Sequence, residues 1–254
     1  DRPIARSVKE KIAHFCNVPE QRVIAAPDVD VIYRLPMTLH AEGCDTRIIE
    51  RLNIWSREPD LSRWERTVSG FLAPERGRVK IALVGKYVHL RDSYKSLNEA
   101  LVHGGLACEV GIDVEYVDSE SLTADNVEER LGAADGILVP GGFGGRGTEG
   151  KIQAIRLARE EGMPFFGICL GMQMAVIEYA RHVCDLEGAQ SREFDPDAKH
   201  PVIDLMPDQK DVKNKCGTMR LGAYPCILKA GSRAADIYGT REIRERHRHR
   251  FEFN

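Results

Sequence analysis

The sequence predicts an α/β protein built on a doubly wound, mostly parallel sheet, preceded by a helical segment that belongs to another domain. Three observations predict it. After Gly77, short apolar runs alternate with helical patterns of ~10–15 residues, as in parallel βαβ units. Three of those runs end in glycine-rich or reactive segments: Gly85-Lys86-Tyr87, Pro140-Gly141-Gly142 and Gly167-Ile168-Cys169. Open sheets of this class bind ligands at the carboxyl ends of their strands. Before Gly77 the apolar spacing is mainly helical, and Pro74-Glu75-Arg76-Gly77 punctuates the change.

The elements follow in order. Ile4, Val8, Ile12 and Phe15 recur at helical spacing over 4–16. Val23–Ala25 and Val29–Tyr33 read as short strands, and 36–42 and 46–53 as helices. Trp64, Val68 and Phe71 mark the apolar face of a helix over 61–72. In the second region the expected strands are 79–84, 111–117, 136–139 and 164–168. The expected helices are 93–107, 124–131, 148–161 and 172–182. Beyond about 200 the pattern loses regularity, with a β-rich stretch near 218–229. A domain boundary falls at Pro74–Gly77.

Composition excludes several classes. Of the 254 residues 43% are apolar, enough for a core, and 36 basic residues against 39 acidic give a net charge of −3. That balance argues against nonspecific nucleic-acid binding. No run of ~18 apolar residues is present, so no membrane span is expected. The seven cysteines are odd in number and form no C-x-x-C pair, which argues against a disulfide framework or structural zinc. A reduced, cytoplasmic chain follows, with most thiols expected as small buried hydrophobes.

Spacing singles out one thiol. Gly167-Ile168-Cys169-Leu170-Gly171 has the form G-x-C-x-G between an expected strand and helix, the thiol version of a nucleophile elbow. The turn is too tight for side chains on its flanks, so glycine stands on both. At the helix N-terminus Cys169 is expected to have a lowered pKa, and the Leu170 N–H to face a developing oxyanion. The plain alternative is a buried cysteine at a strand end. Five glycines within 140–147 let backbone approach a ligand closely, and a second oxyanion N–H is the obvious use. No Gly-Lys-Ser/Thr follows, which excludes a P-loop.

These two segments, on successive strands, resemble the class I glutamine amidotransferases, and more closely the CTP synthase family. The resemblance spreads over Leu138–Gly144, Phe166–Gln173, Ser191–Asp195, Gly217–Gly222 and Glu245–Glu252. Cys16–Pro19 and Asp28–Tyr33 are similar to the end of that family's synthetase (amidoligase) domain. The resemblance implies that 1–45 is the tail of that domain, 46–77 a helical linker and 78–254 the amidotransferase domain, incomplete at its C-terminal end. The resemblance implies that Cys169 attacks the side-chain amide of L-glutamine, forming a thioester and freeing ammonia. It implies oxyanion donors at Gly142 and Leu170, and glutamine contacts at Gly171, Met172, Gln173, Glu193 and Arg250. It further implies nucleotide contacts at Lys11, Pro27, Asp28 and Val29. In the family ATP, with Mg2+, phosphorylates UTP, amination gives CTP, and GTP activates, with Phe143 and Arg146 in its region. Homotetramers and filaments are implied as well. Phe15 reads more simply as core.

Two departures matter. The His-Pro-Glu segment that supplies the family's base does not occur. His249 and Glu252 lie in a different motif and read as interface or structural residues, as does His247. The phosphate loop and magnesium carboxylates of the synthetase half are also not in these residues. This chain by itself is therefore expected to be a poor glutaminase and unable to aminate UTP. Cys216 and Arg192 replace the family's usual Gly and Thr. The alternatives left open are a non-catalytic binding chain and another cysteine hydrolase of the same fold, such as a γ-glutamyl hydrolase.

Overall fold

The computed structural model describes residues 4–206 and 220–254. Cys216 and the start of the Gly217–Gly222 motif lie outside the described residues. The chain divides into two compact units, Asp1–Val79 with Ser96–Ile112, and Lys80–Lys95 with Asp113–Asn254.

The first unit is helical: α1 (Arg6–Cys16), α2 (Leu35–Ala41), α3 (Cys44–Leu52), α4 (Ser62–Leu72) and nearly all of α5 (Lys95–Ala107). Helix α1 stops at Asn17, which turns left-handed at φ 51° and donates its N–H back to His14 and Ala13, a common helix stop. The segments 23–25 and 29–33 do not form strands. Ala25 N–H donates to Glu42 Oε2 at 3.1 Å instead of to a ladder, and Ile32–Arg34 close a 3₁₀ turn. Short β-branched runs satisfy their backbone locally when no neighbouring strand offers a ladder. Tyr33 donates its hydroxyl to Glu99 Oε2 at 2.8 Å and sets its ring edge-on to Phe71, 5.8 Å between centroids. Of the α4 stripe, Val68 is buried. The expectation that Phe15 packs in a core fails, since its side chain is 87% exposed and α1 buries only Ala13.

The second unit is built on β1 (Arg78–Gly85), β2 (Gly111–Asp118), β3 (Gly136–Val139) and β4 (Phe165–Gly167), in the order β2-β1-β3-β4. Both β1/β3 and β3/β4 are parallel, with Leu83 opposite Leu138 and Leu138 opposite Phe166. Helices α6 (Val127–Leu131), α7 (Thr148–Glu160) and α8 (Leu170–His182) alternate with these strands. All four residues of β3 are buried, as a strand with neighbours on both sides and helices on its faces requires. The core gathers Val84, Ile137, Val139, Ile152, Leu170, Met174 and Ile177.

The part of the sequence without clear rhythm holds further strands. β5 (Ala189–Ser191), β6 (His200–Leu205) and β9 (Phe251–Phe253) form one small sheet. β7 (Arg220–Ile227) and β8 (Glu242–His249) pair antiparallel, with α9 (Arg233–Tyr238) between them. Most cysteines are expected as buried, but among the described residues Cys16, Cys108, Cys184 and Cys226 are exposed, and Cys44 and Cys169 half-buried. Small size and weak polarity leave a thiol tolerated at surfaces as well as in cores.

Candidate active site

The elbow begins with a strand that ends too close to a helix. Gly167 closes β4 and Gly171 lies in the first turn of α8. A Cβ on Gly167 would meet the Gly171 carbonyl carbon at 2.6 Å, and one on Gly171 would meet Val139 O at 2.1 Å. Both contacts are with backbone, so glycine is required at both places. Between them Cys169 takes φ 54° and ψ −107°, a strained conformation for a residue with a Cβ. Ile168 N–H donates to Val139 O at 3.0 Å, and Gly171 N–H to Ile168 O at 2.9 Å. The turn is thereby tied to β3, and the thiol stands at the head of α8.

Two backbone N–H groups converge on that thiol, Leu170 from the helix and Gly142 from the glycine-rich loop after β3. The loop can come this near because Gly141 has no side chain; a Cβ there would lie 3.3 Å from the Cys169 Cβ. Glu193 reaches the same place. Its Oε1 accepts from Gly144 N–H at 2.8 Å, and its own N–H donates to the buried Ser191 hydroxyl at 3.1 Å. Gln173, buried on α8, donates Nε2–H to Phe251 O at 2.9 Å. That bond carries the β8–β9 segment to the cleft.

A cavity of about 380 Å³ results, lined by Gly142, Phe143, Cys169, Gln173, Glu193, Arg248, His249, Arg250 and Phe251. The Nε of Arg250 is buried and has no hydrogen-bond partner among the described residues. Leu170 and Gly171, the two residues after Cys169, are buried. Met172 does not line the cavity and is 40% exposed. Lys11, Pro27, Asp28 and Val29 lie in the first unit, Lys11 and Asp28 exposed and Pro27 and Val29 half-buried.

The thiol pKa is raised, contrary to expectation. Burial of Cys169 is the largest cause and the Glu193 carboxylate adds to it; the Leu170 and Gly142 N–H groups and the Arg248 guanidinium pull the other way without winning. Desolvation disfavours any charged form, and here it outweighs the polar end of α8. Among the histidines of the second unit, His249 alone lines the cavity. Its Nδ1 lies 3.3 Å from His247 Nδ1, and the two rings pack edge-on, 5.4 Å apart.

Sequence reasoning missed Lys86, Arg248 and Phe251. Lys86 follows the last residue of β1, is 8% exposed and donates Nζ–H to Phe143 O. Its signal was in plain view, as the middle residue of a strand-end segment. Arg248 lies over the Phe143 ring, 5.5 Å from the centroid. Phe251 acts through its carbonyl, which no side-chain pattern reveals.

A strained cysteine elbow thus meets two N–H donors, with the Glu193 carboxylate and the buried Arg250 Nε–H in the same cleft. Residues 89–254 match glutamine amidotransferase class-I, and residues 1–54 match the CTP synthase N-terminus. The chain belongs to the class I glutamine amidotransferases, in their CTP synthase branch. It is 55% identical over 254 residues to the CTP synthase of Geotalea uraniireducens (strain Rf4), covering 100% of this chain and 48% of that protein. It is 56% identical over 251 residues to that of Syntrophus aciditrophicus (strain SB), covering 99% and 46%. The chain thus spans about half the length of the curated relatives it matches. Among solved structures, it resembles the Trypanosoma brucei CTPS glutaminase domain with bound acivicin. That match has TM-score 0.64 and 43% identity, over 69% of this chain and 68% of the other. Among the described residues, no helix is long and apolar enough to cross a membrane.

Proposed function

We propose that this cavity hydrolyses L-glutamine through a Cys169 thioester and delivers ammonia for the ATP-dependent amination of UTP to CTP. The observation that carries the reading is the convergence of the Gly142 and Leu170 N–H groups on the Cys169 thiol. When the thiolate adds to the glutamine amide, the carbonyl oxygen becomes an oxyanion, and donors already aimed at the sulfur's surroundings stabilise it without reorganising. Arg250, with its unsatisfied buried Nε–H, takes the substrate's α-carboxylate. Glu193 takes the α-ammonium, and the opposed pair selects a zwitterionic amino acid. Gly171, Met172 and Gln173 act as the supporting wall of that pocket, Met172 from its edge.

The reaction also needs a base to take the thiol proton and pass it to the leaving ammonia. His249 is poorly suited to that part. Its Nδ1 faces His247, and the charges bearing on the thiol are those of Glu193 and Arg248. Burial and the Glu193 carboxylate favour the protonated thiol. We infer that the chain by itself is a slow glutaminase.

Lys11, Pro27, Asp28 and Val29 are assigned to UTP and ATP contacts of the complete enzyme, and Phe143 and Arg146 to its activator GTP. Among the described residues, no cluster of three or more His, Cys, Asp and Glu side chains is arranged to hold a metal ion. The Mg2+ of the ATP step does not fit these residues. Tetramers, filaments and a cytoplasmic location belong to the same reading. The test is Cys169→Ala in the complete enzyme. Glutamine-dependent CTP formation should fall at least ~10³-fold while ammonia-dependent formation persists. Unchanged use of glutamine would sink the proposal.

A further inference from the structure

We propose that Lys86 is a positioning residue, its ammonium clamping the glycine loop so that the Gly142 N–H points at the developing oxyanion. The inference rests on the glutaminase reading above. It starts from a difficulty in that loop. Gly141 and Gly142 supply a donor and a close approach, and both lack the Cβ that would restrict their dihedrals. Nothing in their own sterics fixes where the Gly142 N–H points. A donor that wanders is worth little, because oxyanion stabilisation depends on dipoles held in place before the reaction.

The neighbouring peptide shows how the direction is fixed. The peptide joining Phe143 to Gly144 is held at both ends by opposite charges. Its carbonyl accepts from Lys86 Nζ, and its N–H donates to Glu193 Oε1 at 2.8 Å. Charged partners make stronger and more directional hydrogen bonds than neutral ones. The Lys86 stem also passes close to Gly142, since a Cβ built there would lie 3.7 Å from the Lys86 Cε. The lysine thus runs beside Gly142 while gripping the next carbonyl.

The anchor of this clamp is rigid. Lys86 follows β1, which pairs in parallel with β3 up to Leu83↔Leu138, and the loop begins one residue after β3. Glu193 is anchored independently through Ser191. Glu193 therefore has two duties: it holds the loop, and it receives the substrate's ammonium. Lys86 keeps the loop in place while the carboxylate turns its other oxygen to the substrate.

The test compares wild type with Lys86→Met, Lys86→Gln and Lys86→Arg. Amide hydrogen exchange over 141–145 should speed at least ~10-fold in the Met and Gln variants and stay near wild type in Lys86→Arg, with 136–139 unchanged as the folding control. In the complete enzyme, kcat for glutamine should fall ~10–100-fold in Lys86→Met with KM near wild type, because a misaimed donor forfeits part of the ~10²–10³ that one oxyanion donor supplies. Alkylation of Cys169 by iodoacetamide, which forms no oxyanion, should fall less than kcat does, since it loses only the pull of the Gly142 N–H on the thiolate. Unchanged loop exchange in both neutral variants overturns the clamp, as does an equal fall of glutaminase and alkylation rates. If wild-type enzyme frees no ammonia from glutamine, the glutaminase reading fails, and the exchange measurement still decides whether Lys86 holds the loop.

Discussion

Replacing Gly171 by alanine should dismantle the elbow, and the size of the effect follows from two distances. The added Cβ would sit 2.1 Å from Val139 O and 2.9 Å from Val139 C. Both atoms belong to the backbone of β3, the strand bonded to β1 on one side and β4 on the other. They cannot swing aside as a side-chain tip would. To reach even ~3 Å, α8 and β3 must part by about 1 Å in a close-packed core, and overpacking of this kind costs ~1–3 kcal/mol or more. Alanine is the better helix former by up to ~1 kcal/mol, so the net loss is about 2 kcal/mol. For a unit of this size that lowers the melting temperature by ~4–8 °C. The paired control is Gly142→Ala, whose Cβ meets only Leu170 Cδ2 at 3.5 Å and Lys86 Cε at 3.7 Å. It should stay within ~0.5 kcal/mol of wild type. Scanning calorimetry of the three proteins measures both. A Gly171→Ala variant melting within ~1 °C of wild type, or no lower than Gly142→Ala, would refute the close-approach reasoning.

Two titration predictions follow from the charges. The alkylation rate of Cys169 should rise with pH to a midpoint above the ~8.5 of a free thiol, since burial and Glu193 hold the thiol protonated. Glu193→Gln should lower that midpoint and Arg248→Met raise it; an unmoved profile in both would contradict the assignment. The second concerns Lys151, buried in α7, whose pKa is pushed down to about 8 by burial and by the charges of Lys86 and Arg146. Its folded pKa lies below the unfolded value, so between pH 8 and 10.5 the unfolded chain binds more protons and stability rises with pH. Lys151→Met should be more stable than wild type at pH 7 and should lose that part of the rise, read from urea midpoints across the range. A Lys151→Met midpoint below wild type at pH 7 would show that the lysine is paired rather than stranded.

Much of the sheet unit was legible because its elements carry their own signals. Residues 136–139 read as a strand from an unbroken apolar run, and α7 from helical spacing that starts after Gly147. The elbow was legible because G-x-C-x-G is steric necessity written as sequence, with both glycines facing backbone. The thiol's pKa was not legible. It depends on how deeply Cys169 is buried and on Glu193, neither of which is local in sequence. Val23–Ala25 misled because β propensity names residues that suit a sheet, and here no sheet is offered. Phe15 misled because helical spacing predicts a stripe without saying what covers it. The β5, β6, β8 and β9 strands escaped because they are short or charged; Glu242–His249 alternates charges and histidines where an apolar face would give a signal. Lys86 and the Phe251 carbonyl act through the backbone of distant residues, which only coordinates bring together.

The central claim is that Cys169 is the nucleophile of a glutamine-specific cavity. Its most direct test treats the chain with a glutamine analogue bearing an electrophile at the side-chain amide position, followed by peptide mapping. Cys16, Cys108, Cys184 and Cys226 are more exposed than Cys169, so reactivity by access alone would mark them first. One adduct is expected, on Cys169, prevented by excess L-glutamine and slowed when Glu193 or Arg250 is replaced. Label spread over the exposed thiols, or an adduct on Cys169 that glutamine does not block, would contradict it.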